Sequence, residues 1–358
     1  MAAVVVKVVW KAMADEERCV SGSGTSDDYE LDLEAIAEEV RKYEGVQRKR
    51  AIWDLMQLFS GIDAVGGRTV AGFGEDAAVI DVGSDEYMLV AIDGIWGRLI
   101  EADPWWAGYC AVLVNVNDIA AMGGKPLAMV NVISSAKREV REKIAKGIYA
   151  GVMKFGVPMV GGHVHPDTHY DAVDVAIVGT VRKNCVIFSN GARPGDKVIV
   201  AIDIDGKTRS KFRMGWDSTT EKTPAEIKKR LSTMIEIGEK RLATAGKDIS
   251  NPGVVGTLAM LLETSGVGAT VEIPKIPKPP ENEITMERWL KIYPGMGFIL
   301  TVKNIEDGKE CIDIFESAGI DANIVGEIDD TRKLKITKGG NSKIVFDFER
   351  EFLTGIKK

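Results

Sequence analysis

Apolar residues recur at helix and strand spacings along most of the chain, and the pattern predicts a run of alternating elements from residue 31 onward. Ile36, Val40 and Tyr43 fall at i, i+4 and i+7, one face of a helix, with Gly45 placed to end it. A second short helix is predicted over 51–59. Runs at 77–82 and 87–92 are apolar, rich in β-branched residues and split by a polar turn, so they read as strands. The clearest helix spans 105–122. Asp103 is its predicted N-cap, Pro104 suits the first helical position and Gly123-Gly124 closes it. It is apolar on every side, which marks a buried helix, yet it carries Asn115, Asn117 and Asp118.

Further along, a strand is predicted at 127–133 and an amphipathic helix over 137–155 that Gly156 ends. A short strand at 157–160 runs into Gly161-Gly162-His163, and another strand covers 172–181. The turn-rich connector Ser189-Asn-Gly-Ala-Arg-Pro-Gly-Asp196 marks a domain boundary. Beyond it come a strand at 197–202, a polar helix over 224–245 and an apolar helix ending near Gly266. Ser250 or Asn251 is the expected cap of the latter, with Pro252 in its first turn. Strands at 269–273, 296–302, 323–328, 334–336 and 344–346 and a helix over 305–318 complete the pattern. There is no strict βαβ alternation, no P-loop and no dinucleotide fingerprint.

Composition narrows the partners. The 358 residues are 45% hydrophobic and 28% charged, with net charge −7, so the chain can bury large cores and has no basic nucleic-acid surface. Cys19, Cys110, Cys185 and Cys311 form no CxxC pair, which fits reduced thiols in a cytoplasm. No apolar run approaches the roughly 20 residues needed to span a membrane. Residues 1–29, with Ser21-Gly-Ser-Gly-Thr-Ser-Asp-Asp28, read as a flexible extension.

Candidate chemistry centres on Ala71-Gly-Phe-Gly-Glu-Asp-Ala-Ala-Val79. Its glycines let backbone amides approach a ligand, and Glu75 and Asp76 suit a hard cation such as Mg²⁺. Asp93, Asp118 and Asp248 repeat the theme at strand ends and helix starts. Asp118 has two readings: a residue bonded to a neighbouring backbone, or a cation ligand, since a buried acid is costly unless paired. Together the acids resemble a polyphosphate site built from carboxylates and Mg²⁺.

That combination resembles the superfamily of aminoimidazole ribonucleotide synthetase, thiamine-monophosphate kinase, selenophosphate synthetase and the hydrogenase maturation protein HypE, over about residues 31–350. The matching segments are Gly72-Phe-Gly-Glu-Asp-Ala-Ala-Val79, Ala91-Ile-Asp-Gly94, Val114-Asn-Val-Asn-Asp-Ile-Ala-Ala-Met-Gly123, Gly161-Gly162-His163 and Gly191-Ala-Arg-Pro-Gly-Asp196. The overall pattern, with Gly161-Gly-His-Val-His-Pro-Asp-Thr168, is most similar to the methanogenesis marker protein 2 group. The resemblance implies an α+β, two-domain PurM-like fold. Its N-terminal mixed α/β domain (30–190) binds ATP and carries a dimer-forming sheet, and its C-terminal α+β sandwich covers 191–358. It implies ATP at an interface between subunits of a homodimer. Glu75, Asp76, Asp93 and Asp118 take metal roles, and Gly72, Gly74, Asn117, Gly161 and Gly162 take nucleotide roles. Asp248 and His163 are the candidate catalytic residues.

Departures from the family patterns separate this chain from each named activity. Asn251 stands where thiamine-monophosphate kinases carry an acid, and Ser189 where they carry an arginine. The selenophosphate synthetase lysine pattern and the HypE C-terminal cysteine have no counterpart here. Two functions follow. One is a Mg²⁺-dependent, ATP-using phosphotransferase or synthetase that activates an unidentified small molecule or protein. The other is an ATP-gated maturation factor acting on a partner enzyme. His163, His165 and His169, the chain's three histidines, also have two readings: with Asp167 or Asp171 they complete a transition-metal set, or they form a polar loop beside the nucleotide. The loop is favoured, because no cysteine lies close by.

Overall fold

A computed structural model describes residues 31–59, 61–62, 65–280 and 283–356. The expected extension over 1–29, with Cys19, therefore lies outside the described residues. In the first half, α1 (Leu33–Lys42) and α2 (Ala51–Phe59) precede strands β1 (Thr69–Ala71), β2 (Ala78–Asp81) and β3 (Glu86–Gly94). Helix α3 (Pro104–Ala121), β4 (Lys125–Ser134), α4 (Arg138–Phe155), β5 (Met159–His165) and β6 (Ala172–Arg182) follow. The six strands form one sheet in the order β1-β2-β3-β6-β4-β5. Its neighbours are antiparallel except β4 and β5, which run parallel because α4 carries the chain across between them.

Asp103 caps α3 by accepting a hydrogen bond from the Trp106 amide at 3.2 Å, and Pro104 opens the helix. The helix is buried on all sides because it has protein on all sides. β3, β6 and α4 cover part of it, and the second half of the chain covers the rest. Its crossing with α4 is tight: a Cβ on Gly147 would lie 1.8 Å from the Trp105 carbonyl oxygen.

The second half holds β7 (Lys197–Ile202), β8 (Lys207–Arg209), β9 (Phe212–Asp217), α5 (Pro224–Lys240), β10 (Ala243–Asp248) and α6 (Gly253–Ser265). It continues with β11 (Gly268–Glu272), β12 (Tyr293–Pro294), β13 (Gly297–Val302), α7 (Ile305–Ser317), β14 (Asp321–Asp329), β15 (Lys333–Lys338) and β16 (Asn341–Asp347). Seven strands form a sheet in the order β10-β13-β7-β14-β11-β15-β16, and β12, β9 and β8 form a small separate one. β13 is buried at every position, so the large sheet is covered on both faces, α5 and α7 lying against one and α6 against the other. Ile199, Ala201, Phe298 and Leu300 join the same apolar core as α3, which therefore runs through both halves.

Buried Glu263 in α6 ties down the end of the chain. Its carboxylate accepts hydrogen bonds from the amides of Leu353 and Thr354, each at 2.9 Å, and from the Thr354 hydroxyl at 2.6 Å.

Three expectations change. The predicted helix over 224–245 stops at Lys240, Arg241 takes a left-handed cap (φ 57°), and β10 begins at Ala243. Neither Ser250 nor Asn251 caps α6; Pro252 occupies that position with no side-chain cap bond. Helix α1 ends at Lys42, before Gly45, which lies in the next short helix, Glu44–Gln47. Gly45 serves close approach instead, since a Cβ there would sit 2.3 Å from the Asn251 carbonyl oxygen.

Candidate active site

A cavity of about 620 Å³ opens where the first sheet meets the end of β10, within the range usual for small-molecule sites. Glu75 and Asp76 come from the turn before β2, Asp93 from the end of β3, Asp118 from the last turn of α3, and Asp248 from the end of β10. All five carboxylates line this one space, as do Gly72 and Gly74. Gly74 has φ 98°, the left-handed region, so glycine suits the turn that presents the acids. Apolar side chains, among them Ile80, Val90, Ile92 and Met260, make up other parts of the lining.

Lys247 is the residue that sequence reasoning missed. Its ammonium is ion-paired with the Asp76 carboxylate, and the two side chains are each 5% exposed. It also donates to the Gly74 carbonyl and the Ser189 hydroxyl, each at 3.3 Å. Ser189 holds a second acid, its amide donating to Glu75 Oε2 at 2.6 Å. Where the family pattern led to an arginine at 189, a lysine from β10 supplies the positive charge.

The carboxylates crowd one another. Burial, then repulsion from Asp248, Asp93 and Asp76, pushes Asp118 well above the usual carboxylate range. Burial and Asp76 push Asp248 up to about 8, against the pull of Lys247. Surrounding protein also raises Asp93, though the residue is exposed at the cavity mouth, with Lys49 opposing the shift. Burial works against the charge on Lys247, but Asp76, Asp248 and Glu75 outweigh it and hold the ammonium above its ordinary value.

These oxygen donors fit a hard cation in chemistry and charge. Among the described residues, however, no three His, Cys, Asp or Glu side chains stand close enough to hold an ion unaided. Mg²⁺ commonly uses one or two carboxylates and takes its remaining ligands from phosphates and water. The set therefore fits a phosphate-bound Mg²⁺, not a protein-only cage.

Other expected residues lie elsewhere. Asn117 lines a neighbouring cavity and donates to the Gly295 carbonyl at 3.1 Å. Gly161, Gly162 and His163 sit on β5, the opposite edge of the sheet from β1 and β2. His163 and His165 share a face there with ring centroids 4.6 Å apart, and among the described residues no third ligand joins them. The thiols of Cys110, Cys185 and Cys311 are buried and free. Among the described residues, no helix is long and apolar enough to cross a membrane.

Residues 74–181 match the AIR synthase related protein, N-terminal domain, and residues 193–339 match the corresponding C-terminal domain. The uncharacterized protein MJ0640 of Methanocaldococcus jannaschii is 48% identical over 91% of this chain and 100% of its own. The chain belongs to the AIR synthase related family. Solved structures agree on the two-domain PurM-like fold. T. maritima PurL complexed with ADP superposes with a TM-score of 0.68 at 18% identity, over 91% of this chain. This chain spans about half of that one, 55% of its length. AaThiL complexed with AMPPCP and TMP gives 0.59 at 19% identity, over 89% of this chain and 100% of that one. As an AIR synthase related protein, the chain is placed among ATP-using PurM-like proteins at the level of the family.

Proposed function

We propose that the acid-lined cavity binds ATP with Mg²⁺ and that the protein is a phosphotransferase or synthetase activating an acceptor still to be identified. One observation carries the reading: five carboxylates from four separate parts of the chain, with a buried lysine, converge on one cavity of about 620 Å³. Such a concentration of like charge costs stability unless a ligand brings cations to it. ADP in T. maritima PurL and AMPPCP in AaThiL, two chains of this fold, support a nucleotide as that ligand.

Glu75, Asp76, Asp93 and Asp118 would hold the Mg²⁺, which supplies charge neutralisation at the phosphates. Lys247 holds Asp76 in place and adds a fixed positive charge beside Gly74. Ser189 fixes Glu75 through its amide. Gly72 and Gly74 keep the turn free of side chains where phosphates would approach. Asp248 stands at the border with the neighbouring cavity and would orient the acceptor. Gly161 and Gly162 lie too far along the sheet to join this cavity within one chain, so their nucleotide role requires a partner copy.

The test is a melting experiment on the full chain. ATP at ~100-fold over its dissociation constant should add about 2.7 kcal/mol of stability when Mg²⁺ is present. Stabilisation of the same size in EDTA would defeat the metal-bridged reading.

A further inference from the structure

A second cavity, of about 240 Å³, lies beyond the wall that Asp93 and Asp248 share with the first. Its volume falls below the ~300–1,000 Å³ typical of drug-sized ligands, which limits an occupant to one or two rings. Trp96, Trp106, Trp216 and Tyr293 line it, and aromatic walls favour a flat π-system stacked or edge-on against them.

Three polar atoms on its lining residues are buried and have no partner among the described residues: Trp106 Nε1, a donor, and the Oδ1 atoms of Asn117 and Asn251, both acceptors. A buried polar group left unmet costs about 1–3 kcal/mol. Trp106 and Asn117 are each 3% exposed, so bulk water does not meet the need. A heteroaromatic ring nitrogen would accept from Trp106 Nε1, and water held in the cavity would donate to the two amide oxygens.

The charge at the rim points the same way. Arg48 and Arg98 both lie over the Trp96 ring, their guanidinium carbons 5.2 and 5.3 Å from the centroid; Arg98 is paired with Glu44, whereas Arg48 makes no salt bridge among the described residues. A planar guanidinium matches a carboxylate in two parallel hydrogen bonds. A doubly charged phosphate is disfavoured so close to Asp93 and Asp248.

We propose that this cavity binds a small heteroaromatic carboxylate, its ring among Trp96, Trp106 and Trp216 and its carboxylate at Arg48. Only the occupant's role, a second substrate held beside the phosphates, rests on the ATP reading; the binding itself does not.

The test follows tryptophan emission while the full-chain protein is titrated with nicotinate. Nicotinamide lacks the charge and cyclohexanecarboxylate lacks the aromatic ring. Nicotinate should quench saturably at millimolar concentration, with both controls at least tenfold weaker. Arg48→Gln should weaken nicotinate tenfold or more and leave the Mg-ATP rise in melting temperature intact. Absence of saturable quenching by nicotinate, or an equal response from Arg48→Gln, overturns the proposal. Quenching without Mg-ATP stabilisation would defeat the function proposed above and uphold this cavity; stabilisation without quenching would do the reverse.

Discussion

Single residues carry the charge balance of the acid-lined cavity. Asp118 faces three other carboxylates and has no bonded partner among the described residues, so Asp118→Asn should raise the melting temperature of the ligand-free protein by removing repulsion. The same change should weaken Mg-ATP on the order of tenfold, about 1.4 kcal/mol. Calorimetric titration beside a melting curve reads both, and unchanged affinity would make Asp118 purely structural. Lys247→Met should do the opposite to stability. It strands Asp76 as a buried, unpaired carboxylate, a loss of about 3 kcal/mol by chemical denaturation. Adding Asp76→Asn should recover most of it, because the stranded charge goes too. The acids were legible in the sequence for local reasons: Glu75 and Asp76 follow a glycine turn, Asp93 ends an apolar run, and Asp118 interrupts one. Lys247 was not: residues 243–245 read as the end of the helix predicted over 224–245, and Lys247 as part of the connection to the next helix, where β10 in fact runs.

At the scale of elements, long patterned segments were easy to read and short ones were not. Helix α3 announced itself through its cap, its first-turn proline and its apolar run, and most strands of the two large sheets through their β-branched residues; β1, which is short, and β10, which follows a helical pattern, were missed. β8 and β9 were missed, because Lys207–Arg209 and Phe212–Asp217 mix charge, glycine and aromatics and find their place only through contacts with β12 and α3. The crossing of α3 and α4 offers a direct test of how close two elements must come. Gly147→Ala places a methyl group against the Trp105 carbonyl and should cost at least about 1–3 kcal/mol. A melting temperature equal to wild type would mean that the helices move apart freely. Gly156→Ala offers a control at the end of α4, since nothing lies within 4 Å and only its φ of 70° opposes the change.

At the scale of the molecule, the first sheet presents an apolar surface that the other described residues leave uncovered. Ile92, Val130 and Val160 stand 71%, 44% and 67% exposed on the first sheet, and Leu127 is 50% exposed. We expect this face to pair with a second copy, burying on the order of 2,000 Å² or more. Sedimentation at micromolar concentration should then give about twice the 38.9 kDa chain mass, and a monomer would refute it. Such pairing would also decide whether Gly161 and Gly162 reach a neighbour's cavity. The Glu263 clamp has a different consequence, one of timing. Thr354 and Ile356 line the acid cavity, yet they follow the whole second half of the described residues. At ~5–20 residues per second, translation reaches them roughly 10 to 35 s after the first sheet is complete. Until then no ligand can brace the emerging chain, and the first half must keep its cluster of carboxylates folded on the strength of its own core.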